Sequence, residues 1–200
     1  MLNTEIELKL LIAPADIPRL RRHPLLKALC PSGPRTRKLA SIYFDTDDFA
    51  LRERGIALRV RRSGRQWIQT VKGGGSVRAG LHQRDEWEAP VARNTPDFTK
   101  ITDPGLIALF SDEALRQRLH PVFVTEFNRT VWLLETEAGD RVEMALDRGE
   151  IRADRGSAAI CEVELELKAG NPAALYELAL ALREAAPLRA EDASKADRGY

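Results

Sequence analysis

Four stretches of the chain alternate apolar and ionic side chains with a period of two, the signature of a β-strand whose two faces meet different environments. In the first, Glu5, Glu7 and Lys9 share one face while Ile6, Leu8, Leu10 and Ile12 share the other. The second sets Arg59 and Arg61 opposite Ile56, Leu58 and Val60, and the third sets Glu143 and Asp147 opposite Val142, Met144 and Leu146. The fourth places Glu162, Glu164, Glu166 and Lys168 opposite Cys161, Val163, Leu165 and Leu167. Further strands are predicted at KLASIYFD, RQWIQTVK, LHQRDEWEA and the long PVFVTEFNRTVWLLE, where parity does not separate the faces and a bulge is expected. Turns such as Ser63-Gly64 and Ala138-Gly139-Asp140 are short enough for antiparallel hairpins, so about eight antiparallel strands follow.

Three helical stretches interrupt them. Residues 15 to 29 offer Asp16 as an N-cap, with Pro18 near the start and Pro24 predicting a short or kinked helix. Residues 104 to 119 open with Asp103 before Pro104 and carry Leu106, Ile107, Leu109, Phe110, Leu115 and Leu119. The last opens at Asn171-Pro172, places Leu175, Leu178, Ala179 and Leu182 on one face, and stops before Pro187. These amphipathic helices need an apolar surface, and the apolar strand faces supply it. The predicted fold is α+β, mainly β, in one domain spanning residues 1–200.

Composition narrows the class. With 44% hydrophobic and 30% charged residues the chain can bury a core. Its 31 Lys plus Arg nearly balance 30 Asp plus Glu, so no bulk field points to nucleic acid or a membrane surface. Cys30 and Cys161 lack metal-type spacing and read as free thiols of a reducing compartment. The N-terminal stretch is interrupted by charges and no other run reaches the length of a membrane helix, so a cytoplasmic protein is expected.

A single alternating strand is most simply core on one side and water on the other. Here, however, carboxylates concentrate in strands from the two chain ends, and cations (Arg59, Arg61, Lys72, Arg84) in the middle strands. If helices cover the apolar faces, closing the sheet turns the ionic faces into a lumen. Burying so many charges dry would cost several kcal/mol each, so such a lumen calls for water, metal and a charged ligand. Carboxylates without His or Cys suit Mg2+ or Mn2+, and His23, His82 and His120 are too scattered to ligate. Arginines and lysines facing them suit phosphate oxygens. A metal-bound polyphosphate is the implied ligand.

At this point the chain resembles the CYTH superfamily, the triphosphate tunnel metalloenzymes. The correspondence runs through EIELK at 5 to 9, IYFDT at 42 to 46, LRERGIALRVR at 51 to 61, TVKGG at 70 to 74, GLHQRDEWE at 80 to 88, EFNRTVW at 126 to 132, ALDRGEI at 145 to 151, CEVELELKAG at 161 to 170 and SKADRGY at 194 to 200. The resemblance implies an eight-stranded antiparallel closed β-barrel, a tunnel with flanking α-helices. It is strongest to the CYTH domain of bacterial inorganic triphosphatases, which hydrolyse tripolyphosphate to pyrophosphate and phosphate. Such a domain is often followed by a C-terminal CHAD domain, absent from these 200 residues. The final SKADRGY carries no pattern of a regular element.

Carried over residue by residue, the resemblance implies metal ligation by Glu5, Glu7, Asp147, Glu164 and Glu166. It implies phosphate binding by Lys9, Arg59, Arg61, Lys72, Arg84, Arg129 and Lys195, with Glu5, Glu7, Lys9 and Lys72 as the catalytic set. Glu162 competes for a place among the carboxylates. Glu86 and Glu88 are expected to support neighbouring cations, Tyr43 and Trp87 to pack or line the rim, and the glycines at 73–75 to form a flexible turn. The partner is then a small triphosphate, with neither nucleic acid nor membrane. Alternative readings are a class IV-type adenylate cyclase, a thiamine triphosphatase, or a non-catalytic polyphosphate- or nucleotide-binding module.

Overall fold

The computed structural model describes residues 4–200. Among them, β1 (Thr4–Ile12), β2 (Arg35–Asp45), β3 (Ala57–Ser63), β4 (Gln66–Arg78), β5 (Leu81–Val91), β6 (His120–Glu135), β7 (Arg141–Ala153), β8 (Gly156–Ala169) and β9 (Leu188–Ala190) form one sheet. Its order is β5-β4-β3-β2-β6-β7-β8-β1-β9, every pairing is antiparallel, and β1 also pairs with β5, which closes eight strands into a barrel. Along the same edge of β1, β5 pairs with Thr4–Leu8 and the short β9 takes over at Leu10–Ile12. Closure removes the exposed edges that an open sheet would leave.

The helices are α1 (Ile17–Arg21), α2 (Pro24–Leu29), α3 (Pro104–Phe110), α4 (Glu113–Arg118), α5 (Ala173–Leu182) and α6 (Lys195–Gly199). Two of the predicted helical stretches are broken in the middle. Pro24 starts a new helix, whose first turn is capped by His23 Nδ1 accepting from the Leu25 amide, while Asp16 makes no side-chain cap. Asp112 breaks the other stretch by accepting from the Ala114 and Leu115 amides, a local bond that competes with helix continuation. Asp103 caps α3 as expected, accepting from Leu106 at 2.9 Å. No helix among the described residues is long and apolar enough to cross a membrane.

Apolar strand faces point outward under these helices. Leu8, Leu10, Met144, Val163 and Leu165 pack with Ile17, Leu20, Leu26, Leu175 and Leu182 on one flank. Leu58, Val60 and Val71 pack with Leu106, Phe110 and Leu115 on the other. Each such side chain contributes roughly 1.5–3 kcal/mol by leaving water, so the barrel is held from its outside. A third cluster is internal: Leu39, Tyr43, Phe123, Phe127, Ile151 and Ile160 meet Ala196 of α6.

That internal cluster corrects the reading of the chain's end. SKADRGY is a capped helix, with the Ser194 side chain accepting from the Asp197 amide while the Asp197 carboxylate accepts from the Ser194 backbone. It packs on β6, β7 and β8 and stops one end of the barrel. A Cβ on Gly199 would fall 2.3 Å from the Phe123 ring, so only glycine allows this approach. The glycines at 73–75 likewise form no free turn. They lie within β4, where a bulge leaves Gly74 and Gly75 opposite no residue of β5. The bulge expected in β6 falls at Val122, where the pairing with β2 slips between Tyr43–Phe123 and Phe44–Pro121.

Candidate active site

Register and parity together decide what faces the barrel interior. Glu7 lies opposite Glu166 and Lys9 opposite Glu164 across β1 and β8, while Glu143 and Asp147 of β7 lie opposite Glu166 and Glu162. Arg129 of β6 lies between Asp147 and Arg37, and Glu5 lies opposite Arg84 on β5. Lys72 is flanked by Ala57 and Glu86. These side chains surround a cavity of about 290 Å3, in whose wall nine basic and seven acidic residues leave room for only four uncharged ones. An interior this ionic is a binding site rather than a core.

On one wall, Asp147, Glu162 and Glu164 bring carboxylate oxygens within 4.8 Å of one another. Their charge is met by four cations. Lys9 bonds Glu164 and reaches Glu162 at 3.3 Å, and Lys195 bonds Glu162 while reaching Asp147 at 2.7 Å and Glu164 at 2.8 Å. Arg129 donates to both oxygens of Asp147, at 2.8 and 2.7 Å, and also bonds Glu164; Arg198 bonds Glu162. Burial opposes the charges on Lys9, Lys195, Arg129, Asp147 and Glu164, yet the partners win. The lysines at 9 and 195 and Arg129 are held above their ordinary range by the carboxylates, and Asp147 and Glu164 below theirs by the cations. The result is a saturated, rigid network.

Elsewhere charge is not balanced. Glu7, Glu166 and Glu143 form a row across three adjacent strands, and like charges directly opposite repel. Burial, with Glu5 and Glu143 adding to it, pushes Glu166 up despite its bond to Lys168. Glu143 makes no ion pair among the described residues. Facing this row is an excess of guanidinium. Among the described residues Arg61 donates only to the Ser41 hydroxyl, at 3.2 Å, and burial followed by the Arg59 and Arg129 charges pulls it down to about 9. Arg59 has Glu86 at 3.5 Å and Glu88 at 4.0 Å, and its buried Nε has no partner among the described residues. Lys72 bonds Glu5 and has Glu86 at 3.3 Å.

Of the residues singled out in the sequence, Glu5, Glu7, Lys9, Arg59, Arg61, Lys72, Arg84, Arg129, Glu164, Glu166 and Lys195 all line the cavity. Asp147 lies behind its wall, fully buried, and reaches the cavity through Arg129 and Lys195. Glu86 and Glu88 support Lys72, Arg59 and Thr70 as expected, and Trp87 packs in an outer core. Tyr43 is stacked on Phe123 and also lines the cavity, where its hydroxyl faces Arg59 and Arg61. The sequence reading left out Glu143, Arg37, Lys168 and Arg198. Glu143 and Lys168 sit on alternating faces and could have been included; Arg37 lies in a run of cations, and Arg198 in a segment whose helix was not predicted.

Comparison with known proteins agrees with this architecture. The CYTH domain profile matches residues 3–200. An inorganic triphosphatase of Haemophilus influenzae is 35% identical over 98% of this chain, which spans 54% of that protein's length. Two solved structures share the fold. The Hippeastrum protein HpAC1, an adenylyl cyclase candidate with a dominant triphosphatase activity, superposes with a TM-score of 0.68 at 20% identity, over 98% of this chain and 94% of its own. The protein PH1819 of Pyrococcus horikoshii superposes with a TM-score of 0.60 at 20% identity, with 97% of each chain covered.

Proposed function

The chain belongs to the CYTH domain family, and from that premise we propose that its tunnel hydrolyses inorganic triphosphate to pyrophosphate and orthophosphate with a divalent cation. One observation carries the reading: an under-compensated guanidinium group, Arg61 between Arg59 and Arg129, faces a row of carboxylates across one cavity. A site for a polyanion alone needs no such row. The similarity to the Haemophilus enzyme supports the same substrate class.

The donor set fits a hard cation, since the row of Glu7, Glu166 and Glu143 offers only carboxylate oxygens. Glu7 and Glu166 would hold it, with Glu143 adjacent. Asp147 and Glu164 would join only by releasing Lys195 or Arg129. Bound there, Mg2+ or Mn2+ supplies Lewis-acid neutralisation of phosphate charge. The chain's own side chains do the rest. Arg59, Arg61 and Arg129 hold the phosphates that become pyrophosphate, and Lys9 and Lys195 fix the carboxylate wall. Lys72 exchanges Glu5 for a terminal phosphate oxygen. The freed Glu5 orients a water for in-line attack and takes its proton; the new bond is water oxygen to terminal phosphorus. The bridging P–O bond breaks with its electron pair leaving on pyrophosphate, whose charge the guanidiniums stabilise.

A phosphate-release panel with tripolyphosphate, ATP, thiamine triphosphate and long polyphosphate, with Mg2+, Mn2+ or EDTA, tests this. Metal-dependent preference for tripolyphosphate supports it. Cyclic AMP formation, preference for another triphosphate, or tight binding without turnover refutes it.

A further inference from the structure

A second cavity, about 200 Å3 and open to solvent, abuts the tunnel at the stoppered end. Four residues, Ala57, Lys72, Arg84 and Ala196, line both spaces, so the partition between them is two methyl groups and two long cationic side chains. The reason is geometric: α6 leans on β6, β7 and β8, and the bulged glycines of β4 pull the wall away on the other side. Gly74 and Gly75 have φ of 67° and 87°, and a Cβ on Gly75 would lie 1.8 Å from the Gln83 carbonyl oxygen, so this rim admits no side chain there.

The groove is cationic and its charge is poorly spent. Arg52 lies over the Tyr200 ring, 5.0 Å from its centroid, and makes no ion pair among the described residues. Among the described residues Arg84 pairs only with Asp197, at 3.8 Å, and that carboxylate is committed to the Ser194 cap through the backbone amide at 2.8 Å and the hydroxyl at 2.6 Å. Lys72, on the partition, bonds Glu5 and has Glu86 at 3.3 Å, so the uncommitted charge is that of Arg84 and Arg52. An anion entering from the tunnel passes Lys72 and Arg84 before it meets Arg52.

We propose that this groove is a rear port with its own orthophosphate site. Resting on the hydrolytic reading above, it takes the orthophosphate formed beside Lys72 and Glu5, while pyrophosphate leaves past Arg61. Rotation of the Lys72 and Arg84 side chains opens the partition without backbone movement, on the fast timescale of side-chain rotamers. The shorter product thus departs without waiting for the longer one.

Two variants outside the tunnel test it, Arg52→Glu, which reverses the outer charge, and Ser76→Trp, which fills the groove from its exposed rim. Both are first checked for wild-type melting. Single-turnover cleavage of tripolyphosphate should stay within about twofold of wild type. Steady-state turnover should fall about tenfold, with a burst of one orthophosphate per site, because release has become limiting. Unchanged turnover without a burst, or single-turnover and steady-state rates falling together, overturns the port. An independent arm titrates orthophosphate alone by calorimetry: affinity should drop about tenfold in Arg52→Glu, and equal affinity overturns the site. If wild type binds orthophosphate at this site but never cleaves tripolyphosphate, the hydrolytic reading fails and the anion site stands.

Discussion

Replacing Arg61 with Gln should move stability and activity in opposite directions. Buried beside Arg59 and Arg129 and, among the described residues, bonded only to the Ser41 hydroxyl, this guanidinium is pulled well below its ordinary range, to about 9. Both values lie above neutral pH, so Arg61 is charged in the folded and unfolded chain alike at pH 7. The full penalty on the fold is present there, and it is relieved only as pH rises through about 9 toward the ordinary guanidinium range. At about 1.4 kcal/mol per pKa unit, discounted for water in the tunnel, the penalty is roughly 2–4 kcal/mol. Arg61→Gln removes it, and the glutamine can still bond Ser41. The ligand-free variant should therefore resist urea better than wild type by a kcal/mol or more. Tripolyphosphate should lose a charge-assisted bond of about 1.5–3 kcal/mol, which lowers kcat/KM roughly 10- to 100-fold. Urea unfolding with and without tripolyphosphate measures both effects, and the ligand-induced stabilisation should shrink in the variant. A ligand-free variant less stable than wild type, or unchanged kcat/KM, would refute the claim that this charge is held in place for an anion.

Three further outcomes follow from the same site. Glu162→Gln takes from Arg198 the one carboxylate it pairs with among the described residues, and one of several from Lys9 and Lys195, and should cost about 3–5 kcal/mol in urea unfolding, unlike the near-neutral change expected for the exposed Glu137→Gln. Asp147 and Glu164 have folded pKa values below their unfolded ones. The stability they contribute should be present above the ordinary carboxylate range and lost as pH falls through their depressed values, seen as acid unfolding that Asp147→Asn weakens. Glu7→Gln with Glu166→Gln relieves repulsion in the carboxylate row, so melting should hold or rise while metal-dependent phosphate release falls by at least about a hundredfold; parallel loss of both would count against a metal role.

Much of the site was readable because alternation is a local code. Glu5, Glu7 and Lys9 share one face by parity alone, and so do Glu162, Glu164 and Glu166; the structure turns both faces inward. Arg129 was harder, since β6 buries both of its faces, Phe127 inside and Trp132 outside, so parity carries no contrast there. Lys195 was legible only through resemblance. Its helix is five residues long and stands on a capping box and on contact with Phe123 rather than on periodicity.

By itself the sequence determined the strands, the two kinds of face they carry, and the outward helices that must cover the apolar one, because each depends on neighbours a few residues apart. Tertiary structure alone decided which charges are spent and which are left over. Lys9 finds Glu162 across 153 residues of chain, and Lys72 finds Glu5 across 67, while Arg61 finds no carboxylate among the described residues. It also decided that α6 packs on β6, β7 and β8 at one end of the barrel. Those outcomes depend on barrel closure and strand register, which bring distant segments to one level, and no local pattern encodes the match.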